Sequence, residues 1–286
     1  MNRREDVSTF RVLVAVAALG VVLVLAVLAC LVRMGAPRHL LGLVSELCMT
    51  AGHVASELVS AMMVIVVLAS VAIGAISLLM SWGRTRQFER QLVRTRRTCD
   101  RVHAAALDTG VDSRRIVVVR DERMLAFTCG LRTPKVYVST GALDALDDDE
   151  LRAVLLHEAH HMRRNDPLKL VSARIASHTF FWLPVLADLR RRYEIASEAA
   201  ADARCIELLG TRRPLLRAVL QFVDTQSPMA VAHLTGGELA DSRLRLMLNP
   251  ESNLPPFATR RSAVVSVMAI VALHMLLALH LSLPAM

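Results

Sequence analysis

Residues 147–161 read DDDELRAVLLHEAHH, and this stretch decides what kind of domain the chain builds. Asp147 and Glu150 stand three apart, the Asp-x-x-Glu spacing of a capping box, and the acids around them suit the positive end of a helix dipole. The helix they start carries His157, Glu158 and His161 as HExxH. A step of four residues returns to the same helix face about one turn on, so His157 and His161 present two imidazoles to one metal ion. Glu158 sits one step round, placed to handle a proton on an activated water without ligating the metal itself. The chemistry this pattern implies is peptide-bond hydrolysis.

Working outward, Glu194, Glu198 and Asp202 follow at spacings of four, on one face of a second helix, and supply a third ligand. Glu194 stays open beside Glu198. His160 faces off the ligand edge and reads as solvated or supporting. Cys205 is within reach of the metal by sequence but reads as a small buried apolar side chain. None of the 5 cysteines forms a CxxC pair, so no disulfide framework is expected. Upstream, a basic helix is expected over Gln87 to Asp108. Three β-like runs follow, Arg115 to Val119, Met124 to Thr128 and Lys135 to Ser139, punctuated by Gly130, Pro134 and Gly141. An edge strand through Ala126 and Phe127 would grip an extended peptide by backbone hydrogen bonds; an ordinary structural hairpin is the other reading. His233 on a late loop and Arg243 complete the candidate substrate contacts, against a loop histidine without a role and a structural salt bridge.

The rest of the chain is that of a membrane protein. Hydrophobic residues make up 54% and charged residues 21%, so the two must be segregated along the sequence. Three uncharged runs do this: Val12 to Val32, 21 residues; Leu58 to Gly83, 26 residues; and Ser262 to Met286, 25 residues. Each reaches the roughly 20 residues that cross a hydrocarbon core. A further apolar stretch, Leu168 to Leu186, is interrupted by Lys169, Arg174 and His178 and broken by Pro184. It reads as a helix packed on the catalytic part or lying at the membrane interface. Arg84, Arg86, Arg90, Arg94, Arg96, Arg97 and Arg101 follow the second run, whereas the loop between the first two carries only Arg38. The positive-inside rule therefore places the N-terminus and residues 84–261 in the cytoplasm. The net charge of +8 is mostly this topology signal, and no nucleic-acid-binding pattern accompanies it.

Three strings, AFTCGLRTPKVYVSTGAL from Ala126, DDDELRAVLLHEAHHMRRND from Asp147 and SEAAADARC from Ser197, resemble the cytoplasmic zinc-peptidase domain of the BlaR/MecR-type antibiotic-sensor membrane peptidases. The HtpX and CAAX-prenyl-endopeptidase branch shares much of the pattern. The resemblance implies His157, His161 and Glu198 as ligands of one Zn2+ per chain and Glu158 as general base. It implies Asp202 as a carboxylate orienting a ligand, and places an acid at Asp166, either in the same supporting role or as a helix-end cap. The best-known members also carry an extracellular penicillin-binding domain with a Ser-x-x-Lys motif. The only lysines here are Lys135 and Lys169, neither in such a motif, so acylation by a β-lactam is not expected.

The expected architecture is a mainly α membrane protein: two transmembrane helices in 1–83 (12–32 and 58–83), a cytoplasmic α+β zincin-like domain in 84–261, and a C-terminal transmembrane helix in 262–286. The expected activity is that of a zinc metalloendopeptidase of the inner cell membrane in regulated proteolytic signalling. Its partners are a protein substrate, a transcriptional repressor for example, the lipid bilayer and a second copy of the chain, with no direct nucleic acid. An HtpX-like quality-control protease and a non-catalytic membrane adaptor with a structural metal site are the alternatives.

Overall fold

The computed structural model describes residues 3–33, 61–62, 64–83, 86–87, 96–97, 100–224, 236–249 and 254–282. In chain order the elements are α1 (Arg3–Arg33), α2 (Val64–Gly83), β1 (Arg96–Arg97), α3 (Asp100–Thr109), β2 (Ile116–Val119), β3 (Ala126–Cys129), β4 (Lys135–Ser139), α4 (Thr140–Ala145), α5 (Asp148–Arg164), α6 (Asp166–Thr179), α7 (Val185–Leu209), α8 (Arg213–Asp224), α9 (Gly236–Leu248) and α10 (Arg260–Ser282). The described residues fall into two compact units, one within Met1–Phe10, Leu79–Ser172 and Arg190–Pro256, the other within Arg11–Leu78, Ala173–Leu189 and Phe257–Met286.

The first unit is built on a small mixed sheet in the order β1-β2-β4-β3. β2 runs parallel to β4, with Val118 opposite Val138, and β3 returns antiparallel to β4, with Phe127 opposite Tyr137. All four residues of β2 are buried, as expected of β-branched strands covered on both faces. On one face Ile116, Val118, Val136 and Val138 pack with Val102 and Ala106 of α3 and with Leu151, Val154, Leu155 and Ala159 of α5. On the other, Val117, Val119, Phe127 and Tyr137 form a second cluster. Gly130 closes the β3–β4 turn at φ 114, a conformation side chains avoid, and a Cβ there would stand 2.8 Å from the Thr133 carbonyl oxygen.

The expected basic helix from Gln87 is not what the described residues form. Arg96 and Arg97 pair antiparallel with Val119 and Val118, and the helix starts at Asp100. A helix through Arg94, Arg97 and Arg101 would stack like charges at spacings of three and four, whereas two residues of strand complete the open side of β2. β3 starts two residues later than expected, because the Leu125 N–H goes to the Ser139 hydroxyl at 2.9 Å.

α5 begins with the full capping box. Asp147 Oδ1 accepts from the Glu150 N–H at 2.8 Å, and Glu150 Oε2 accepts from the Asp147 N–H at 3.0 Å. It ends at Asn165, whose left-handed φ of 53 turns the chain into α6.

The helices α1 and α2, most of whose residues belong to the second unit, are long and apolar enough to cross a membrane, over Val7–Ala26 and Val64–Gly83. Their outward side chains are large and apolar: Val22 is 59% exposed, Leu68 62% and Leu79 64%. Contiguous apolar surface of this kind is stable against lipid and costly in water. α10 covers the third apolar run, from Arg260 to Ser282. The stretch from Leu168 to Leu186 is two helices rather than one: α6 stops at Thr179, and α7 restarts after Pro184. Its tip packs in the second unit, where Phe180, Leu183, Leu186 and Leu189 cluster with Leu13 of α1.

Candidate active site

The HExxH residues lie on the buried face of α5, with His157 4%, Glu158 9% and His161 8% exposed. Each histidine is held by its outer nitrogen. His157 Nδ1 lies 2.8 Å from Asp202 Oδ1, and His161 Nδ1 lies 2.9 Å from Asp166 Oδ2. A ring N–H given to a carboxylate fixes the tautomer, so both Nε2 atoms carry lone pairs. Those two atoms stand 3.1 Å apart, and Glu198 brings Oε2 to 3.3 Å from His157 Nε2 and Oε1 to 3.4 Å from His161 Nε2. Once deprotonated, these three electron-pair donors converge as the ligands of a cation do. Nitrogen and oxygen ligands about 2.0–2.1 Å from a tetrahedral zinc stand about 3.3 Å from one another, the spacing found here. Among the described residues His157, His161 and Glu198 form the group fit to hold a metal ion, and the donor set suits zinc.

With no metal ion bound, the electrostatics of the cluster draw in a proton instead. Burial opposes a charge on His161, but the Glu198 and Asp166 carboxylates outweigh it and hold its pKa well above the ordinary histidine value. Burial likewise opposes an ionised Glu198, yet His161, His157 and Arg243 keep its pKa well below the usual carboxylate range. Asp202 is lowered against its own burial by Arg243 and His157. The carboxylates thus stay ionised and favour positive charge at this point, which a proton on His161 supplies in the absence of a metal ion.

Asp166 is fully buried and collects more than one partner: besides His161, the Ser197 hydroxyl donates to Oδ2 at 3.1 Å. Asp166 therefore faces a histidine as well as opening α6. Arg243, on α9, is buried and forks onto Asp202, with Nε 2.9 Å from Oδ2 and Nη2 2.7 Å from Oδ1, while Nη1 lies 3.4 Å from Glu198 Oε2. Of its two sequence readings, this geometry shows the salt bridge. Glu194 pairs with Arg190 at 2.7 Å and stays outside the donor group. Cys205 donates to the Ala153 carbonyl, and burial pushes its thiol up to about 12, as for an unreactive core cysteine. His160, expected to be solvated or supporting, is only 6% exposed, and its Nε2 has no hydrogen-bond partner among the described residues.

Ala126 and Phe127 lie on β3, the outer strand of the sheet. The Phe127 side chain is buried and stacks on Tyr137 at 5.4 Å, so this strand offers its backbone rather than that ring. His233 lies outside the described residues. Thr128, inside the same strand, has a role sequence reasoning did not assign: its hydroxyl lies 2.8 Å from Glu158 Oε2 and 2.9 Å from the Glu158 carbonyl. A threonine at a strand position carries no sequence signal for this. Only the crossing of β3 over α5 creates it.

Comparison with known proteins agrees with this geometry. A protease HtpX homolog of Persephonella marina is 28% identical over 155 residues, 51% of this chain and 52% of that protein. The chain thus spans about half the length of the curated relative it matches. The family model of the BlaR1 peptidases, M56, matches residues 42–236, more than half of the 286. On that match the chain belongs to the BlaR1 peptidase M56 family.

Proposed function

We propose that the chain is a zinc-dependent metalloendopeptidase of the cell membrane that cleaves a cytoplasmic or membrane-proximal protein in regulated proteolytic signalling. The reading carries the sequence division into two spans within 1–83, a cytoplasmic peptidase domain over 84–261 and a third span over 262–286. The observation behind it is the convergence of His157 Nε2, His161 Nε2 and Glu198 beside a glutamate that takes no part in the donor group. A purely structural metal site has no use for that glutamate, which weighs against the adaptor reading.

His157, His161 and Glu198 would hold the ion, and Asp202 and Asp166 would keep the two rings turned toward it. Bound there, zinc supplies Lewis acidity toward water and a scissile carbonyl. Glu158 acts as the base. Thr128 occupies its Oε2, which leaves Oε1 to take a proton from the attacking water and return it to the departing amine. The outer edge of β3, through Ala126 and Phe127, is the place for an extended substrate backbone to pair. A transcriptional repressor is the substrate of the signalling reading. A quality-control protease is the second reading, supported by the likeness to the protease HtpX homolog.

The test compares wild type with Glu158→Gln, each purified in detergent, for zinc content and casein cleavage. Near one zinc per chain in both, with cleavage by wild type alone, is the expected result. Absence of zinc from both sinks the reading.

A further inference from the structure

Residues 173–189, the tip of the α6–α7 hairpin, do more than fill space between helices. We propose that this hairpin enters the bilayer and stops about halfway across, so that the intramembrane part is α1, α2, α10 and a re-entrant tip. The inference rests on the reading that α1 and α2 cross the membrane.

Two glycines locate the tip. A Cβ on Gly20 of α1 would stand 2.8 Å from the Phe180 ring, and one on Gly74 of α2 would stand 2.6 Å from Thr179 Oγ1. Real Cβ atoms do not approach so closely, so the tip is seated where both helices lack a side chain. Gly20 comes nine residues after Arg11 and Gly74 ten before Arg84. At 1.5 Å per residue these are about 14 and 15 Å from the charged ends, half of a roughly 30 Å core. The two helices give the same depth independently. Further contacts keep the order: His178 Nδ1 lies 3.2 Å from Ser77 Oγ, and Trp182 Nε1 donates to Ser70 Oγ at 3.3 Å. As the hairpin runs from 178 to 182, its partners on α2 run from 77 to 70, away from Arg84.

The chemistry of the tip fits hydrocarbon surroundings. Every residue from Phe180 to Pro184 is apolar, and Phe181, 49% exposed, is the one turned furthest outward. Irregular backbone at membrane depth must have its polar groups met by protein. The break at Pro184 takes the Val185 N–H out of the helix ladder, and Ser266 Oγ of α10 accepts it at 3.1 Å. Ser266, five residues after Arg261, is 3% exposed within an apolar helix, where a serine needs such a partner. Asp188, nearer the base of the hairpin, accepts from the Thr259 N–H at 2.7 Å, just before Arg260 and Arg261. Arg174 sits six residues before Phe180, about 9 Å shallower and within reach of headgroups.

The chain has 2 tryptophans, which makes depth measurable in the full-length protein. Reconstituted into bilayers whose acyl chains carry bromine at a deep or a shallow carbon, Trp82→Phe leaves Trp182 as the sole emitter. The deep-brominated lipid is expected to remove at least about half of its emission, with iodide in the water doing little, as hydrocarbon depth requires. Phe181→Trp with both natural tryptophans replaced by phenylalanine reads the same depth from the exposed side of the tip. Val71→Trp in that background reports on α2 itself. Strong quenching by iodide at both tip positions, with deep quenching of the Val71→Trp reporter, overturns the hairpin and leaves the spanning helices. Failure of deep quenching at the Val71→Trp reporter removes the spanning helices and the hairpin with them.

Discussion

Thr128 sets one carboxylate oxygen of Glu158 aside, and on the reading of Glu158 as base its loss is expected to slow the reaction. A base held by one hydrogen bond keeps its reacting oxygen in place; without that bond the side chain samples rotamers that miss the water. Thr128→Val keeps the shape of the buried side chain and removes the hydroxyl. Its kcat is expected to fall about 10- to 100-fold with zinc content unchanged, and Thr128→Ser to restore most of it. Unaltered kcat in the valine variant would show that the hydroxyl serves packing alone. His160 gives a prediction of another kind. Burial, with the charges of His161 and Arg164 against it, lowers its pKa to about 4. The unfolded chain takes up this proton near the ordinary value of about 6.5, the native chain only near 4, so the unfolded state binds more protons between them. The stability tied to His160 is therefore complete above about 6.5 and is lost as pH falls toward 4, by on the order of 3 kcal/mol. Denaturant unfolding across that window, for wild type and His160→Phe, is expected to show a shallower loss in the variant. Equal slopes would mean that other groups carry the acid sensitivity.

Among the elements, α5 was the most legible, because its signals are local. The capping box needs a spacing of three, the two imidazoles a spacing of four, and both are realised between the N-cap Asp147 and His161. The acidic face of α7 was legible for the same reason; the family resemblance favoured Glu198 over Glu194 as ligand, and in the structure Arg190 occupies Glu194. The three runs of β-formers gave strands but not their order. β3 lies outermost because β4 inserts between it and β2, a choice made by long-range pairing. Arg243 shows the limit most plainly. It stands 41 residues from Asp202 in sequence, and only the docking of α9 makes it the fork that holds the carboxylate behind His157. Arg243→Lys keeps the charge and loses the two-pronged geometry. Chelator competition is expected to show metal affinity lowered about 10- to 100-fold, as for other residues that orient a ligand from behind. An affinity equal to wild type would reduce Arg243 to a folding contact.

On the scale of the whole molecule, hydropathy found the long apolar helices because twenty uncharged residues in a row have few other uses. Residues 168–186, read as one packed or interfacial helix broken at Pro184, are α6, a turn and the start of α7. What seats that turn is the absence of side chains at Gly20 and Gly74, and absence leaves almost no trace in a composition-based reading. The seats can be tested against the intrinsic preference of a helix. Alanine in place of glycine ordinarily stabilises a helix interior by about 1 kcal/mol, so a gain is the default expectation. Among the described residues nothing lies within 4 Å of a Cβ added at Gly83, and Gly83→Ala should be neutral or show that gain. At Gly74 the added methyl meets Thr179 Oγ1 at 2.6 Å, and relief requires the Thr179 side chain to turn or the tip of the hairpin to shift. Overpacking of this kind costs about 1–3 kcal/mol, enough to cancel the helix preference and exceed it. Thermal unfolding in detergent is expected to place Gly74→Ala below wild type and Gly83→Ala at or above it. If both variants rise together, the close approach at Gly74 is not a packing seat and the tip is not held there.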